Sequence, residues 1–199
     1  MTTEPTPTCT AFVGNRRLAG GDHESVALAL WAELQRDPTM QPLVFDDQTS
    51  APLEFDLRGS EAEMLARLRA AAAAETAPVA RPGPGRPKLG VVAREVTLLP
   101  RHWDWLNAQP GGASVALRKL VEEARRATEG AEKLRRGRDA AYRFMAAMAG
   151  NAPDYDEAAR ALFAGDAAGF ARRIEAWPAD IRAHLQKLAQ AAFAVESKP

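Results

Sequence analysis

Residues 91–127 read VVAREVTLLPRHWDWLNAQPGGASVALRKLVEEARRA, and their punctuation decides how the middle of the chain is built. VVAREVTLL has the β-branched and leucine content of a strand. Leu99-Pro100 ends it, because proline cannot donate to a ladder but fits the first helical turn. RHWDWLNAQ then reads as a short helix, which Pro110-Gly111-Gly112 breaks. A second helix starts near Ser114. Leu117, Leu120, Val121 and Ala124 form its apolar stripe, with Arg118, Lys119, Glu122, Glu123, Arg125 and Arg126 outside it. The unit is strand, helix, glycine turn, helix.

Immediately upstream, TAPVARPGPGRP cannot continue a helix or a strand. Its prolines remove donors and its glycines raise backbone entropy. Residues 75–90 are therefore expected to be a linker. Before it, Thr8 to Val13 is β-prone, Gly14-Asn15 signals a turn, and Arg16 to Ala19 can pair back until Gly20-Gly21. Asp22 is a good N-cap for a helix over 23–36, where Val26, Ala27, Leu30, Trp31 and Leu34 recur at helical spacing. LVFDD (43–47) and PLEFDL (52–57) read as two more strands. Ser60 and Glu63 form a capping box that opens a helix through about Ala74. The order is ββαββα over 8–74, after an irregular start at 1–7.

Downstream, residues 138–195 read as all-helical, in pieces near 139–149, 154–164, 166–176 and 179–194. Asp154 and Asp166 are expected N-caps and Pro178 a first-turn residue. The expected core of this part is Phe144, Met145, Met148, Leu162, Phe163, Phe170, Ile174, Trp177, Ile181, Leu185, Leu188 and Phe193. The expected fold class is α+β: an N-terminal ββαββα unit, a central strand–helix–helix over 91–137 and a helical C-terminal domain.

The composition bounds the function classes. The chain has 199 residues, 46% of them hydrophobic, which is enough for a real core. One cysteine, Cys9, excludes an intramolecular disulfide and a cysteine-rich zinc site, and suits a reducing cytoplasm. The opening MTTEPTPTCT lacks the charged and apolar regions of a secretory signal. No apolar run approaches the ~18 residues of a membrane span. A cytoplasmic protein with no membrane association is the expectation. The net charge is zero, but it is unevenly spread. Residues 1–80 carry 6 basic and 12 acidic side chains, residues 81–138 carry 13 and 6, and residues 139–199 carry 7 and 8. A basic middle in a neutral chain points to an anionic partner.

Few residues suggest chemistry. Asp46, Asp47, Glu54 and Asp56 crowd one expected hairpin, but without the spacing of a calcium loop. His23, His102 and His184 have no ligand neighbours at metal spacing. Ser25, Ser60 and Ser114 lie in no nucleophile motif, and dinucleotide and P-loop signatures are absent. No metal, cofactor or small-molecule ligand is indicated, and the expectation is a protein without enzymatic activity. Trp103 and Trp105 could stack bases.

The stretch VTLLP, RHWDWL, GGASVALRKLVEEA resembles the ribbon-helix-helix family of DNA-binding proteins. The resemblance covers about 35 residues. It implies an intertwined homodimer whose paired strands enter the major groove. PGRPKLG, just before it, resembles an AT-hook, whose extended Gly-Arg-Pro backbone fits the minor groove of A·T-rich DNA. Together they imply DNA contacts from Arg81, Arg86, Pro87 and Lys88 in the arm, and from Arg94, Thr97 and Arg101 in and after the strand. Gly112, Ala113 and Ser114 would offer free N–H groups at a helix start, a ready phosphate site. The strand departs from the family's pattern. Counting back from Pro100, its outward positions are Leu98, Val96 and Arg94, while Glu95 and Thr97 lie in the opposite register. That apolar register leaves open a second reading, a protein-interaction module in which the strand is buried and the basic stretch is a spacer. Taken whole, GRPKLGVVAREVTLLPRHWDWLNAQPGGASVALRKLVEEARR and LVFDDQTSAPLEFDLRG resemble a bacterial family of unknown function. The expectation is a DNA-binding transcriptional regulator acting as a dimer.

Overall fold

The computed structural model describes residues 8–76, 92 and 94–193, the side chains of Glu75 and Thr76 apart. Four strands and seven helices occupy them: β1 (Thr8–Val13), β2 (Arg16–Asp22), α1 (His23–Arg36), β3 (Pro42–Asp46), β4 (Pro52–Leu53), α2 (Glu61–Thr76), α3 (Pro100–Asn107), α4 (Ala113–Ala149), α5 (Tyr155–Ala164), α6 (Ala167–Arg173) and α7 (Ala179–Ala192). The expected α+β class and the ββαββα order stand. The chain divides into two compact units, residues 1–75 with 131–199, and residues 76–130. The expected irregular start at 1–7 lies outside the described residues.

In the first unit the sheet is antiparallel, in the order β2-β1-β3-β4. Strand β1 is central and buried on both faces, and side-chain alternation sorts its residues between two cores. Cys9 and Ala11 join Val44 from β3, Val26 and Leu30 from α1, and Met40. Phe12 and Phe45 point the other way, into a cluster with Phe144, Met145, Leu162, Phe170, Ile174, Trp177, Ile181 and Leu185. The rings of Phe12, Phe45 and Phe144 lie 5.2–6.3 Å apart, at edge-on or tilted angles. The N-terminal and C-terminal segments, read from sequence as separate domains, therefore share one core. Within this unit the sheet lies between α1 and the C-terminal helices.

The elements end where their local chemistry requires. Gly14, at φ +56°, makes the β1–β2 turn. Asp22 caps α1 by accepting from the Ser25 N–H at 2.7 Å. The Ser60–Glu63 capping box forms, with Glu63 Oε2 accepting from the Ser60 N–H at 2.8 Å. Asp166 accepts from the Gly169 N–H at the start of α6.

Several expectations need correction. Strand β2 runs through Gly20-Gly21 to Asp22, because their backbones stay in the ladder opposite Thr10, Cys9 and Thr8 of β1. The expected strand 52–57 is only Pro52–Leu53. Continuing its register would set Phe55 opposite Pro42, which has no N–H to share. The helix expected at 139–149 is the end of α4, which runs unbroken from Ala113. Its polar stretch contains no proline, and side chains one turn apart pair along it, Glu122 with Arg125 and Arg126, and Glu132 with Arg136. The boundary expected at 137/138 therefore falls inside a helix. Phe163 is half-exposed against Tyr142 rather than in the core. Asp154 precedes α5 in a left-handed conformation, and its carboxylate makes no cap bond. Pro178 is the residue before α7 rather than in its first turn.

Candidate nucleic-acid interface

The second unit contains the segment that suggested DNA. Among its described residues, Arg94–Leu99 forms no strand, although Leu99 is extended (φ −65°, ψ 149°) where it enters α3. Pro100 takes the first helical position, as expected. Two successive left-handed glycines, Gly111 and Gly112 at φ +87° and +75°, turn the chain into α4. A side chain would be strained at either position. The two helices and the glycine turn of the expected unit are thus present, and in place of the strand residues 94–99 have no assigned secondary structure.

The helices bury little of what they carry. Leu106 and Ala116 are buried. Trp105, Leu120 and Val121 are 53%, 43% and 63% exposed, and Val92, Val96 and Leu99 are exposed as well. Between α3 and α4 an open groove of about 250 Å³ is lined by Leu98, His102, Trp105, Leu106, Leu117 and Leu120. The surface it presents is apolar. The stripe Leu117–Ala124 was legible in the sequence, but the exposure of Leu120 and Val121 was not.

The predicted contact residues fall into three groups. Arg81, Arg86, Pro87 and Lys88 lie outside the described residues. Arg94 and Thr97, before α3, and Arg101, in its first turn, are exposed. Gly112, Ala113 and Ser114 stand at the start of α4. Here the expectation of three free N–H groups is corrected. The Gly112 N–H donates to the Gln109 carbonyl at 2.9 Å, closing the turn. The Gly112 carbonyl accepts from the Val115 and Ala116 N–H groups, so the ladder of α4 begins there. Ala113 and Ser114 precede that ladder and have no intrahelical acceptor for their own N–H groups. Arg118 donates to the Ser114 carbonyl at 3.0 Å, which brings a guanidinium back to this helix end.

The acidic hairpin and the histidines have structural partners. Asp46 accepts from the Gln48 and Thr49 N–H groups and holds the β3–β4 turn. Asp47 accepts from Thr10 at 2.7 Å and pairs with Lys187 at 3.0 Å. Burial opposes its charge, but those donors hold its carboxyl below the usual range. Asp56 is held far below it by Arg58 and Arg67. Among the described residues, no three His, Cys, Asp or Glu side chains converge as a metal site. Burial pushes the Cys9 thiol up to about 12, reinforced by the charges of Asp47, Asp46 and Asp22, so it stays protonated. His184 is buried against Phe144 and Phe12, and burial pushes it down to about 4. Among the described residues no helix is long and apolar enough to cross a membrane.

No curated protein and no solved structure matches the chain. Residues 8–189 match the family described as "uncharacterized protein conserved in bacteria" (DUF2239), a match that spans both units. The chain is a member of that family.

Proposed function

We propose that this protein binds DNA as a homodimer, as a cytoplasmic transcriptional regulator, with residues 91–127 forming the dimer contact. One observation carries the reading: Trp105 on α3, Leu120 and Val121 on the first part of α4, and Val92, Val96 and Leu99 before them are exposed apolar side chains. A helical pair with so small a core is completed most simply by a second copy. A second copy would also give Arg94–Leu99 the strand partner that a ribbon-helix-helix arrangement requires. The basic middle of the chain supplies the attraction to phosphate. In this reading Arg94, Thr97 and Arg101 flank the ribbon, and the Ala113 and Ser114 N–H groups face phosphate. Arg81, Arg86, Pro87 and Lys88 form an arm along the minor groove.

The test is binding of the full chain to generic and A·T-rich duplexes at two salt concentrations. Binding that weakens steeply with salt, and weakens further in an Arg86→Ala, Lys88→Ala double variant, is the expected result. Absence of binding at low salt rejects a nucleic-acid role. The second reading, a protein-interaction module, is favoured by Val96 and Leu98, apolar residues at the positions where a base-reading strand is polar. It predicts that the double variant changes no nucleic-acid signal.

A further inference from the structure

A different surface, within the first unit, has the form of a ligand site. Three elements meet there: the β3–β4 turn, one face of α4 and one face of α7. They enclose an open cleft of about 450 Å³, within the range of small-molecule sites. Lys133, Arg136, Gly137, Ala140 and Arg143 follow one another at steps that keep them on one face of α4. Lys187, Leu188 and Ala191 face them from α7, and Asp47, Gln48 and Thr49 come from the turn.

Gly137 fixes the depth of the cleft. A Cβ at this position would lie 2.6 Å from the Ala192 nitrogen and 2.7 Å from the Ala191 carbonyl carbon, so only glycine lets the two helix backbones approach this closely. Ala140, Leu188 and Ala191 line its apolar floor, the first two almost wholly buried and Ala191 partly exposed.

The charges above it do not balance. Four cations, Lys133, Arg136, Arg143 and Lys187, line the cleft with two carboxylates, Asp47 and Asp139. Both Asp47 oxygens are engaged, Oδ1 by Thr10 and Oδ2 by Lys187. Arg143 donates one N–H to the Thr49 carbonyl, which ties the turn to α4 and leaves further donors of its fork. Arg136 also meets Glu132 at 3.6 Å, so among the described residues Lys133 and Arg143 are the lining cations with no carboxylate in ion-pair range, and they suit a phosphomonoester, which carries about −1.5 to −2 at pH 7.

We infer that this cleft binds a small phosphomonoester with an apolar body, the phosphate held by Lys133, Arg136 and Arg143 and the body resting on Ala140, Leu188 and Ala191. Arginine and lysine together suit a phosphate group, and the apolar surface distinguishes an organic ester from the free ion. This site is independent of the DNA reading.

The experiment titrates the full chain with 1-naphthyl phosphate, following backbone amide shifts by NMR, with inorganic phosphate and 1-naphthoate as comparison probes. Saturable shifts at Gln48, Gly137, Ala140 and Ala191, with weaker binding of both comparison probes, are expected. Lys133→Ala with Arg136→Ala should weaken naphthyl phosphate binding by about tenfold or more. Both side chains are exposed, so the fold does not depend on them. Arg125→Ala with Arg126→Ala removes the same charge from α4 outside the cleft and should leave binding unchanged. The inference is overturned by the absence of saturable shifts to about 10 mM, or by equal weakening in the two double variants. Inorganic phosphate or naphthoate binding as tightly as the ester overturns it as well.

Discussion

The two units treat their apolar residues in opposite ways. In the first, Phe12, Phe45 and Phe144 are closed in by sheet and helices, and Met145, Leu162, Ile174, Ile181 and Leu185 are wholly buried beside them. Among the described residues of the second, one leucine and one alanine are buried while a tryptophan, three valines and two leucines face outward. Hydrophobic burial is the main favourable term in folding, so the first unit can account for its own stability. The second has the surface of an element meant to be completed by something else. One chain thus combines a finished core with an unfinished one, and the unfinished one coincides with much of the basic middle.

Substitutions should separate the two behaviours. The largest effect belongs to Phe144→Ala. Its ring meets Phe12, Phe45 and His184, and its loss should cost about 3–5 kcal/mol in urea unfolding. A much smaller cost would mean that the core collapses into the space and is less finished than its burial implies.

His184 gives the next effect, through pH. The fold buries the neutral ring, with Asp47, Lys187 and Arg17 as the nearby charges. Because its folded pKa, about 4, is below the ordinary 6.5, the unfolded chain binds the extra proton between those values. The stabilisation is complete above about pH 6.5 and is lost as pH falls through about 4, a change of about 3 kcal/mol. Unfolding midpoints measured from pH 7 to 4 should show this slope, and His184→Phe should flatten it. Asp166→Ala should cost about 1 kcal/mol by removing the α6 cap, read from the same unfolding curves. The smallest effect belongs to the second unit. Lys119→Ala alters an exposed side chain outside the apolar stripe and should shift the unfolding free energy by no more than about 0.5 kcal/mol.

Much of the first unit was legible because its signals are local. The Asp22 cap, the Gly14 turn, the Ser60–Glu63 box and the alternation of β1 each depend on residues close in sequence. What sequence reasoning missed depends on distance. Phe12 and Phe45 looked like strand residues of a small N-terminal domain, and nothing local shows that their partners are Phe144 and Leu185. Helix α4 was divided because its charged stretch carries no apolar stripe, although its Glu–Arg pairs sustain it. The cleft was invisible for the same reason: Asp47, Arg136 and Lys187 are brought together by the shared core. In the second unit the helices and the glycine turn were readable, but their exposure was not, because an amphipathic stripe looks the same whether the chain or a second copy covers it.

The claim that a second copy covers this stripe is tested most directly by sedimentation equilibrium of the full chain beside Leu120→Glu. The account predicts a dimer for the parent protein and a folded monomer for the variant. A parent chain that is monomeric at micromolar concentration, or a variant that dimerises as tightly as the parent, would contradict it.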